Sequence, residues 1–258
     1  MKRVLTALIL APLVIALVLW APAPLFLAAL GLVALLCFHE YSALVARHGI
    51  ERPGPAGYAA GLLLFLVPRD SVLVVTLLAL LALGLALGAR PLEKALPRAA
   101  AFVLGIVYIF GAWRCAAALR AIDPYWLLFG LALNWAGDTA AYYVGRWRGR
   151  HKLAPAVSPA KSWEGAIASV AASLLFAVLY CRALLPEVPA PHALLLAGAG
   201  NLAGQIGDLA ESALKRGAGV KDSGHLLPGH GGWLDRTDSS LFAAPVVYAL
   251  VMALRSAG

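Results

Sequence analysis

The residues best suited to chemistry lie in one polar, glycine-rich stretch, residues 212–239, which separates two apolar segments. The chain is 62% hydrophobic and only 13% charged, so this local concentration of charge indicates a site for a charged ligand. Phosphate and a divalent cation are the ligands that such side chains suit. The charged and imidazole side chains of the stretch are Lys215, Arg216, Lys221, Asp222, His225, His230, Asp235, Arg236 and Asp238.

Two aspartates, Asp208 just before this stretch and Asp235 near its end, are candidate magnesium ligands. Mg²⁺ prefers hard carboxylate oxygens, keeps part of its water shell and recruits substrate phosphates. The nearby cations would bind phosphate, and arginine can do so through two parallel hydrogen bonds. These cations are Lys215, Arg216, Lys221 and Arg236.

Glycines are frequent in the same stretch, and they let backbone N–H groups approach an anion closely. A metal site, a glycine-rich loop and basic groups together are typical of phosphoryl or nucleotidyl transfer. Neither the nucleotide-binding pattern G-x4-G-K-[ST] nor the zinc pattern H-E-x-x-H occurs in the sequence. The glycines are Gly217, Gly219, Gly224, Gly229, Gly231 and Gly232.

The apolar segment before this stretch carries a polar stripe that falls within an arc of about 80° on one helix face. Interhelical hydrogen bonding is the favoured interpretation for Asn201 and Gln205. It suits Asp208 poorly, because a carboxylate in a low-dielectric site needs a cation or must be protonated. The stripe consists of Asn201, Gln205, Asp208, Ser212 and Lys215.

Two further polar spots interrupt the apolar segments. Asp138 lies near the cytoplasmic end of the sixth segment and is a functional candidate, with Lys161 or a metal as its partner. The triplet His39-Glu40-Tyr41 in the second segment is interpreted as a satisfied pair near the cytoplasmic interface, and no functional role is assigned to it.

Nine apolar segments predict an all-α fold, a polytopic bundle of about nine transmembrane helices in one integral membrane domain. The third segment is too short for an ordinary crossing, which needs about 20 residues, so it is either re-entrant or a short helix in a thin or shielded place. The three cysteines have no paired spacing, which argues against a disulfide or a zinc site. The segments are 4–21, 24–45, 55–68, 71–89, 99–119, 125–145, 163–184, 192–214 and 239–255.

The basic residues predict the orientation. With nine crossings and a cytoplasmic N-terminus, sixteen of the 21 Lys and Arg residues lie in cytoplasmic loops, as the positive-inside rule requires. Both long polar loops, 146–162 and 215–238, then face the cytoplasm. The net charge of +8 is explained by anionic lipid rather than by a nucleic-acid partner.

Four blocks of the C-terminal half carry a resemblance to a known family. The run S-x2-K-R-x4-K-D-x-G-H-x2-P-G-H-G-G-x2-D-R-x-D-S spans 212–239, and G-D-L-x-E-S begins at Gly207. D-T-A-A-Y begins at Asp138, and S-P-x-K-x-W-E-G begins at Ser158. Together they resemble the signature of the phosphatidate cytidylyltransferases, the CDP-diacylglycerol synthases. One departure is Ala160, which stands where that family usually has a second lysine.

The resemblance implies transfer of CMP from CTP to phosphatidate, giving CDP-diacylglycerol and pyrophosphate in phospholipid biosynthesis. It implies a Mg²⁺ requirement, with a second cation such as K⁺ as a candidate, a location in the cell inner (plasma) membrane and a homodimer. Residues 121–258 would form the catalytic half and 1–120 the N-terminal apolar spans. The active site would lie at the cytoplasmic interface, where CTP can meet a lipid phosphate.

Roles are assigned to individual residues on the same basis. Asp208 and Asp235 are expected to bind magnesium, and Asp238 or Asp138 to assist a second cation. Lys215 joins these four aspartates as a catalytic candidate. The substrate-binding candidates are Ser158, Lys161, Arg216, Lys221, Asp222, His230, Gly231, Gly232 and Arg236.

Two other functions stay open. Another CTP-dependent lipid enzyme, of the polyprenol or phytol kinase type, would release CDP, whereas a cytidylyltransferase releases pyrophosphate. A membrane transporter would spread its polar residues across the depth of the membrane, but here they are concentrated at one side.

Overall fold

The computed structural model describes residues 2–67, 71–227, 229 and 231–256. A 3₁₀ turn at Leu92–Lys94 precedes α5, and a π-helical segment at Ile106–Gly111 joins α5 to α6. The elements in chain order are α1 (Lys2–Trp20), α2 (Ala23–Arg47), α3 (Gly54–Leu66), α4 (Ser71–Ala86), α5 (Ala95–Gly105), α6 (Ala112–Ile122), α7 (Pro124–Arg148), β1 (Lys152–Ala154), β2 (Ser158–Ser162), α8 (Trp163–Leu184), α9 (Ala190–Gly217) and α10 (Leu234–Ser256).

The predicted helical fold is confirmed, with one small sheet among the described residues. β1 and β2 form an antiparallel hairpin in which Lys152 faces Ser162 and Ala154 faces Ser158. Each predicted apolar segment falls on a helix wherever the chain is described.

By length and composition, four helices of the described chain could cross a membrane, so a crossing number of nine is not confirmed. α3 has 13 residues, which at 1.5 Å per residue reach only about 20 Å of the ~30 Å hydrocarbon core. α7 and α9 are long enough, with 25 and 28 residues, but carry polar side chains along their length. The four apolar helices are Ala23–Arg47, Leu92–Ile122, Trp163–Leu184 and Leu234–Ser256.

The chain divides into two compact units. The first unit comprises residues 1–9, 22–114 and 214–236, and the second comprises residues 10–21, 115–213 and 237–258. Each unit therefore combines segments that are distant in sequence. The single integral domain with a catalytic half beginning at residue 121 stays a prediction.

The first unit has an aromatic core around Phe38 of α2. The Phe38 ring packs edge-on against Tyr58 of α3 at 5.0 Å and lies 5.3 Å from Phe110 of the π-helical segment. Gly61 makes room for Phe110, since a Cβ there would lie 2.2 Å from the ring. This packing fixes α2 against α3 and the π-helical segment, and it therefore fixes the polar residues that α2 carries.

In the second unit α7 and α8 run antiparallel. The Tyr180 hydroxyl donates to the backbone oxygen of Tyr125 at 2.8 Å, and the Ser173 hydroxyl donates to that of Leu133 at 3.2 Å. Between these contacts Phe129 lies 5.7 Å from the Tyr180 ring.

A buried polar seam joins α8 and α9 in the same unit. Asn201 donates to the hydroxyls of Ser169 and Ser173, both at 2.9 Å, and Gln205 donates to the backbone oxygen of Ala166 on α8 at 3.2 Å. A Cβ on Gly137 of α7 would lie 2.5 Å from Asn201 and Ser169, so α7 also packs closely here. The interhelical hydrogen bonding predicted for Asn201 and Gln205 is confirmed.

Candidate active site

Asp235 is a buried carboxylate of the first unit that accepts hydrogen bonds from several neighbours. It is the second residue of α10, is buried, and accepts at least four hydrogen bonds. Its Oδ2 accepts from the backbone N and the hydroxyl of Ser223 and from the backbone N of Gly232, each at 2.8 Å. Its Oδ1 accepts from Lys215 Nζ at 2.6 Å. A negative charge at the start of α10 is also favoured by the helix dipole.

Lys215 lies at the end of α9 and pairs with this carboxylate inside the unit. Their side chains are 10% and 3% exposed, so the ion pair is largely removed from water. The sequence analysis placed Lys215 among the phosphate-binding cations and the catalytic candidates, and the structure pairs its ammonium with Asp235. The pair brings together two of the five catalytic candidates.

The glycine-rich loop is the connection between the end of α9 at Gly217 and the start of α10 at Leu234. It folds back on itself beside this pair. The backbone N of Leu227 donates to the oxygen of Gly231 at 2.9 Å. Gly229 and Gly231 have positive φ angles of 78° and 79°, which side chains disfavour, so the turn requires glycine at both positions. A Cβ on Gly231 would in addition lie 2.7 Å from Asp235 Oδ2.

Glu40 of α2 is part of the same arrangement, although its triplet was assigned no function. Its Oε1 accepts from the backbone N of Trp233 at 3.1 Å, and its Oε2 accepts from that of Leu234 at 2.8 Å. The Ser223 hydroxyl lies 3.1 Å from Oε2. The triplet was interpreted as a satisfied pair, and Glu40 is satisfied, but by Ser223, Trp233 and Leu234 rather than by a neighbour in the triplet. The sequence did offer one signal for such partners, because a charged residue in an otherwise apolar helix must be compensated.

Asp208 of α9 forms the centre of a second cluster, in the second unit. Its Oδ2 accepts from Lys161 Nζ of β2 at 2.7 Å, and their side chains are 34% and 25% exposed. The Ser212 hydroxyl, one turn along α9, lies 3.5 Å from Oδ1. Lys161, which the sequence analysis offered as a partner of Asp138, thus pairs with Asp208, and the role of Asp208 as a magnesium ligand stays a prediction.

The β hairpin positions Lys161. Ser158 begins β2 and is half-buried, and Ser162 ends it by capping α8, where its hydroxyl accepts from the backbone N of Gly165 at 3.2 Å. Glu164 in the first turn of α8 accepts from the His151 ring at 2.7 Å. The hairpin is therefore tied to the start of α8 at two points, at His151 just before β1 and at Ser162 at the end of β2.

The other two aspartates of the prediction also lie in the second unit. Asp238, on α10, accepts from the backbone N of Ser239 at 2.7 Å. Its backbone oxygen lies against Gly207, the residue before Asp208, where a Cβ would approach it to 2.6 Å. Asp138 is exposed on α7.

The remaining substrate-binding candidates occupy the surface of the first unit. Arg216 donates to the backbone oxygen of Val220 at 3.0 Å. Its side chain is exposed beside the loop. Lys221, Asp222 and Arg236 are exposed as well. His230 lies outside the described residues.

Asp208 and Asp235 each offer one carboxylate to a divalent cation. No group of three or more His, Cys, Asp or Glu side chains that could hold a metal ion occurs among the described residues. Mg²⁺ commonly takes one or two carboxylates and completes its shell with water and substrate phosphates, so single aspartates fit it. The one-third-exposed carboxylate of Asp208 fits this role more readily than that of Asp235, whose Oδ2 already accepts three donors.

Comparison with known proteins agrees with this chemistry. The family model described as "Cytidylyltransferase family" matches residues 1–254. The phosphatidate cytidylyltransferase of Bacillus subtilis (strain 168) is 38% identical over 151 residues, which are 57% of this chain and 56% of that protein. That of Synechocystis sp. is 47% identical over 130 residues, 49% of this chain and 43% of that protein.

A longer match is found with the phosphatidate cytidylyltransferase of Staphylococcus aureus (strain COL), 35% identical over 206 residues, which are 75% of this chain and 77% of that protein. The chain spans about half the length of the Bacillus and Synechocystis relatives that it matches. Since the family model covers nearly all of the sequence, the chain belongs to the cytidylyltransferase family.

Proposed function

We propose that this protein is a phosphatidate cytidylyltransferase, an enzyme that transfers CMP from CTP to phosphatidate and releases pyrophosphate. The observation that carries the proposal is the buried Asp235–Lys215 pair enclosed by the glycine-rich loop. Membership in the cytidylyltransferase family and the names of its relatives support the same reaction.

The reaction joins two anions. A phosphate oxygen of phosphatidate attacks the α-phosphorus of CTP, and the bond from that phosphorus to the bridging oxygen of the β-phosphate breaks. A phosphate monoester has a second pKa near 6, so the nucleophile is already largely ionised at neutral pH and needs no dedicated base. The protein must mainly position the two substrates and offset their repulsion.

Reactions of this kind typically need a divalent cation, and we assign Mg²⁺ to Asp208 and Asp235. The bound cation would neutralise developing charge on the triphosphate. Asp238 or Asp138 is assigned to assist a second cation such as K⁺. The carboxylates of Asp208 and Asp235 are each held in place by a lysine, at 2.7 and 2.6 Å.

The phosphate contacts are assigned to basic groups and loop amides. Exposed side chains beside the loop are accessible to CTP, and Lys161 presents its ammonium from the hairpin of the second unit. The assigned residues are Ser158, Lys161, Lys215, Arg216, Lys221, Asp222, His230, Gly231, Gly232 and Arg236.

The apolar helices make this a membrane protein, and the proposed setting is the bacterial inner membrane. Nine crossings, a cytoplasmic location for both polar loops and a homodimer complete the proposal. The distribution of Lys and Arg supports this orientation.

The test is an assay of the purified protein with phosphatidate, cytidine-labelled CTP and Mg²⁺. The expected products are labelled CDP-diacylglycerol and pyrophosphate in equal amounts. Release of CDP with a phosphorylated lipid would instead identify a CTP-dependent kinase. Absence of any lipid product from correctly folded protein would overturn the proposal.

A further inference from the structure

Glu40 reaches the glycine-rich loop from α2, far away in sequence. Its three contacts in the loop, with Ser223, Trp233 and Leu234, are separated from it by 183 to 194 residues. The residue is only 3% exposed, so its charge is compensated by the backbone N–H groups of Trp233 and Leu234 rather than by water. α2 itself is held by the aromatic core around Phe38, so this carboxylate has a fixed position.

Two of these donors are the backbone N–H groups at the start of α10. The first N–H groups of a helix have no partner within the helix, and an anion placed there is favoured by hydrogen bonds and by the helix dipole. Trp233 and Leu234 donate to the two different oxygens of Glu40. The carboxylate therefore sets where α10 begins, immediately before Asp235.

Two glycines make this approach possible. A Cβ on Gly224 would lie 2.5 Å from Glu40 Oε1, and a Cβ on Gly232 would lie 2.3 Å from Oε2. Neither residue has a positive φ angle in the structure, so here glycine serves close approach rather than backbone conformation. The loop therefore packs closely against the carboxylate of Glu40 at both glycines.

Ser223 connects Glu40 to Asp235. Its hydroxyl lies 3.1 Å from Glu40 Oε2 and 2.8 Å from Asp235 Oδ2, and its backbone N donates to the same oxygen of Asp235. A displacement of the loop at Glu40 would therefore move donors that hold Asp235.

We infer that Glu40 is a positioning residue for the proposed cytidylyl transfer: it anchors residues 223–234 and thereby orients Asp235 and Lys215. The expected effect on catalysis rests on the proposed function. The anchoring of residues 223–234 rests on the contacts described above. Glu40 itself contacts neither substrate in this assignment.

The central variant is Glu40→Gln, which keeps the side-chain size but replaces one acceptor oxygen by a donor that faces N–H groups. We expect kcat to fall by about 10–100-fold, as for other residues that orient a catalytic carboxylate, with the KM for phosphatidate nearly unchanged. Hydrogen–deuterium exchange should rise in residues 223–234 and stay unchanged in α2 and α3.

Gly224→Ala is a second variant, which displaces the loop from Glu40 without altering the carboxylate, and it should reproduce both effects. Glu51→Gln is the matched control, because Glu51 lies in the same unit and pairs with Arg98 at 2.8 Å but is 63% exposed. It should leave kcat and exchange at the wild-type values. Using both variants keeps the test decisive if one of them fails to fold.

The inference is overturned if folded Glu40→Gln and Gly224→Ala proteins keep the wild-type kcat and wild-type exchange in residues 223–234. It is also overturned if exchange rises equally throughout α2, α3 and the loop, because that indicates general destabilisation. If the wild-type protein forms no CDP-diacylglycerol, the proposed function fails, while the exchange comparison still decides whether Glu40 anchors the loop.

Discussion

Asp208 and Asp235 are each held by a lysine, and each is expected to be essential. Replacing either by asparagine removes the negative charge and one of two acceptor oxygens. We expect Asp208→Asn and Asp235→Asn each to lower CDP-diacylglycerol formation by about 100-fold or more, measured with purified protein in detergent. Glu93→Gln, at an exposed position of the first unit, is the control. A near-normal rate in either aspartate variant would disprove its assignment as a metal ligand.

The Lys215–Asp235 pair should matter for stability as well as for activity. Breaking a buried ion pair leaves an uncompensated charge, which costs about 3–5 kcal/mol, whereas an exposed pair contributes about 0–1 kcal/mol. We therefore expect Lys215→Met to lower the free energy of unfolding much more than Arg98→Met, which breaks the more exposed pair with Glu51. Chemical unfolding of both variants in the same detergent measures the difference, and equal losses would contradict this account.

Local sequence patterns predicted part of the site at the level of residues. The polar stripe on α9 correctly indicated interhelical hydrogen bonds for Asn201 and Gln205, because helical spacing fixes which residues share a face. The role of Glu40 was missed, because its partners lie 183 to 194 residues away and no local spacing connects them.

At the level of elements, the close approach of α7 to α8 and α9 depends on Gly137. A Cβ there would lie 2.5 Å from Asn201 and Ser169, so Gly137→Ala should displace the polar seam and cost about 1–3 kcal/mol. Gly130 is the matched control on the same helix, since a Cβ there meets nothing within 4 Å. Gly130→Ala should stabilise the protein by about 0.5–1 kcal/mol, because alanine is the better helix former. Thermal unfolding in detergent distinguishes the two, and a stabilised Gly137→Ala protein would contradict the packing.

The apolar pattern predicted the helices well but not the departures from regular helix. The predicted ends of the apolar segments lie within a few residues of the observed helix ends, because long apolar runs end at polar or proline-rich loops. The hairpin of β1 and β2 was not predicted, because its eleven-residue span has no alternating apolar pattern. The π-helical segment at Ile106–Gly111 also leaves no signature in hydropathy, since it changes the hydrogen bonding and not the composition.

For the whole molecule, the proposed orientation places the hairpin loop in the cytoplasm and the connection between α8 and α9 outside. Both Ala156 and Ala190 are exposed. In a protein whose three native cysteines are replaced, we expect Ala190→Cys to react with a membrane-impermeant maleimide in intact cells. Ala156→Cys should react only after the membrane is permeabilised. The reverse labelling pattern would invert the topology and place the glycine-rich loop on the side without CTP.

The burial of Glu40 also has a consequence for the order in which the chain is made. Glu40 is synthesised before its partners Ser223, Trp233 and Leu234, which follow it by 183 to 194 residues. Until they arrive, an otherwise apolar helix carries an uncompensated carboxylate, which is costly in a membrane. A chain truncated before residue 223 would keep this charge uncompensated in α2, and it should therefore be less stable in the membrane than a chain that includes residues 223–234.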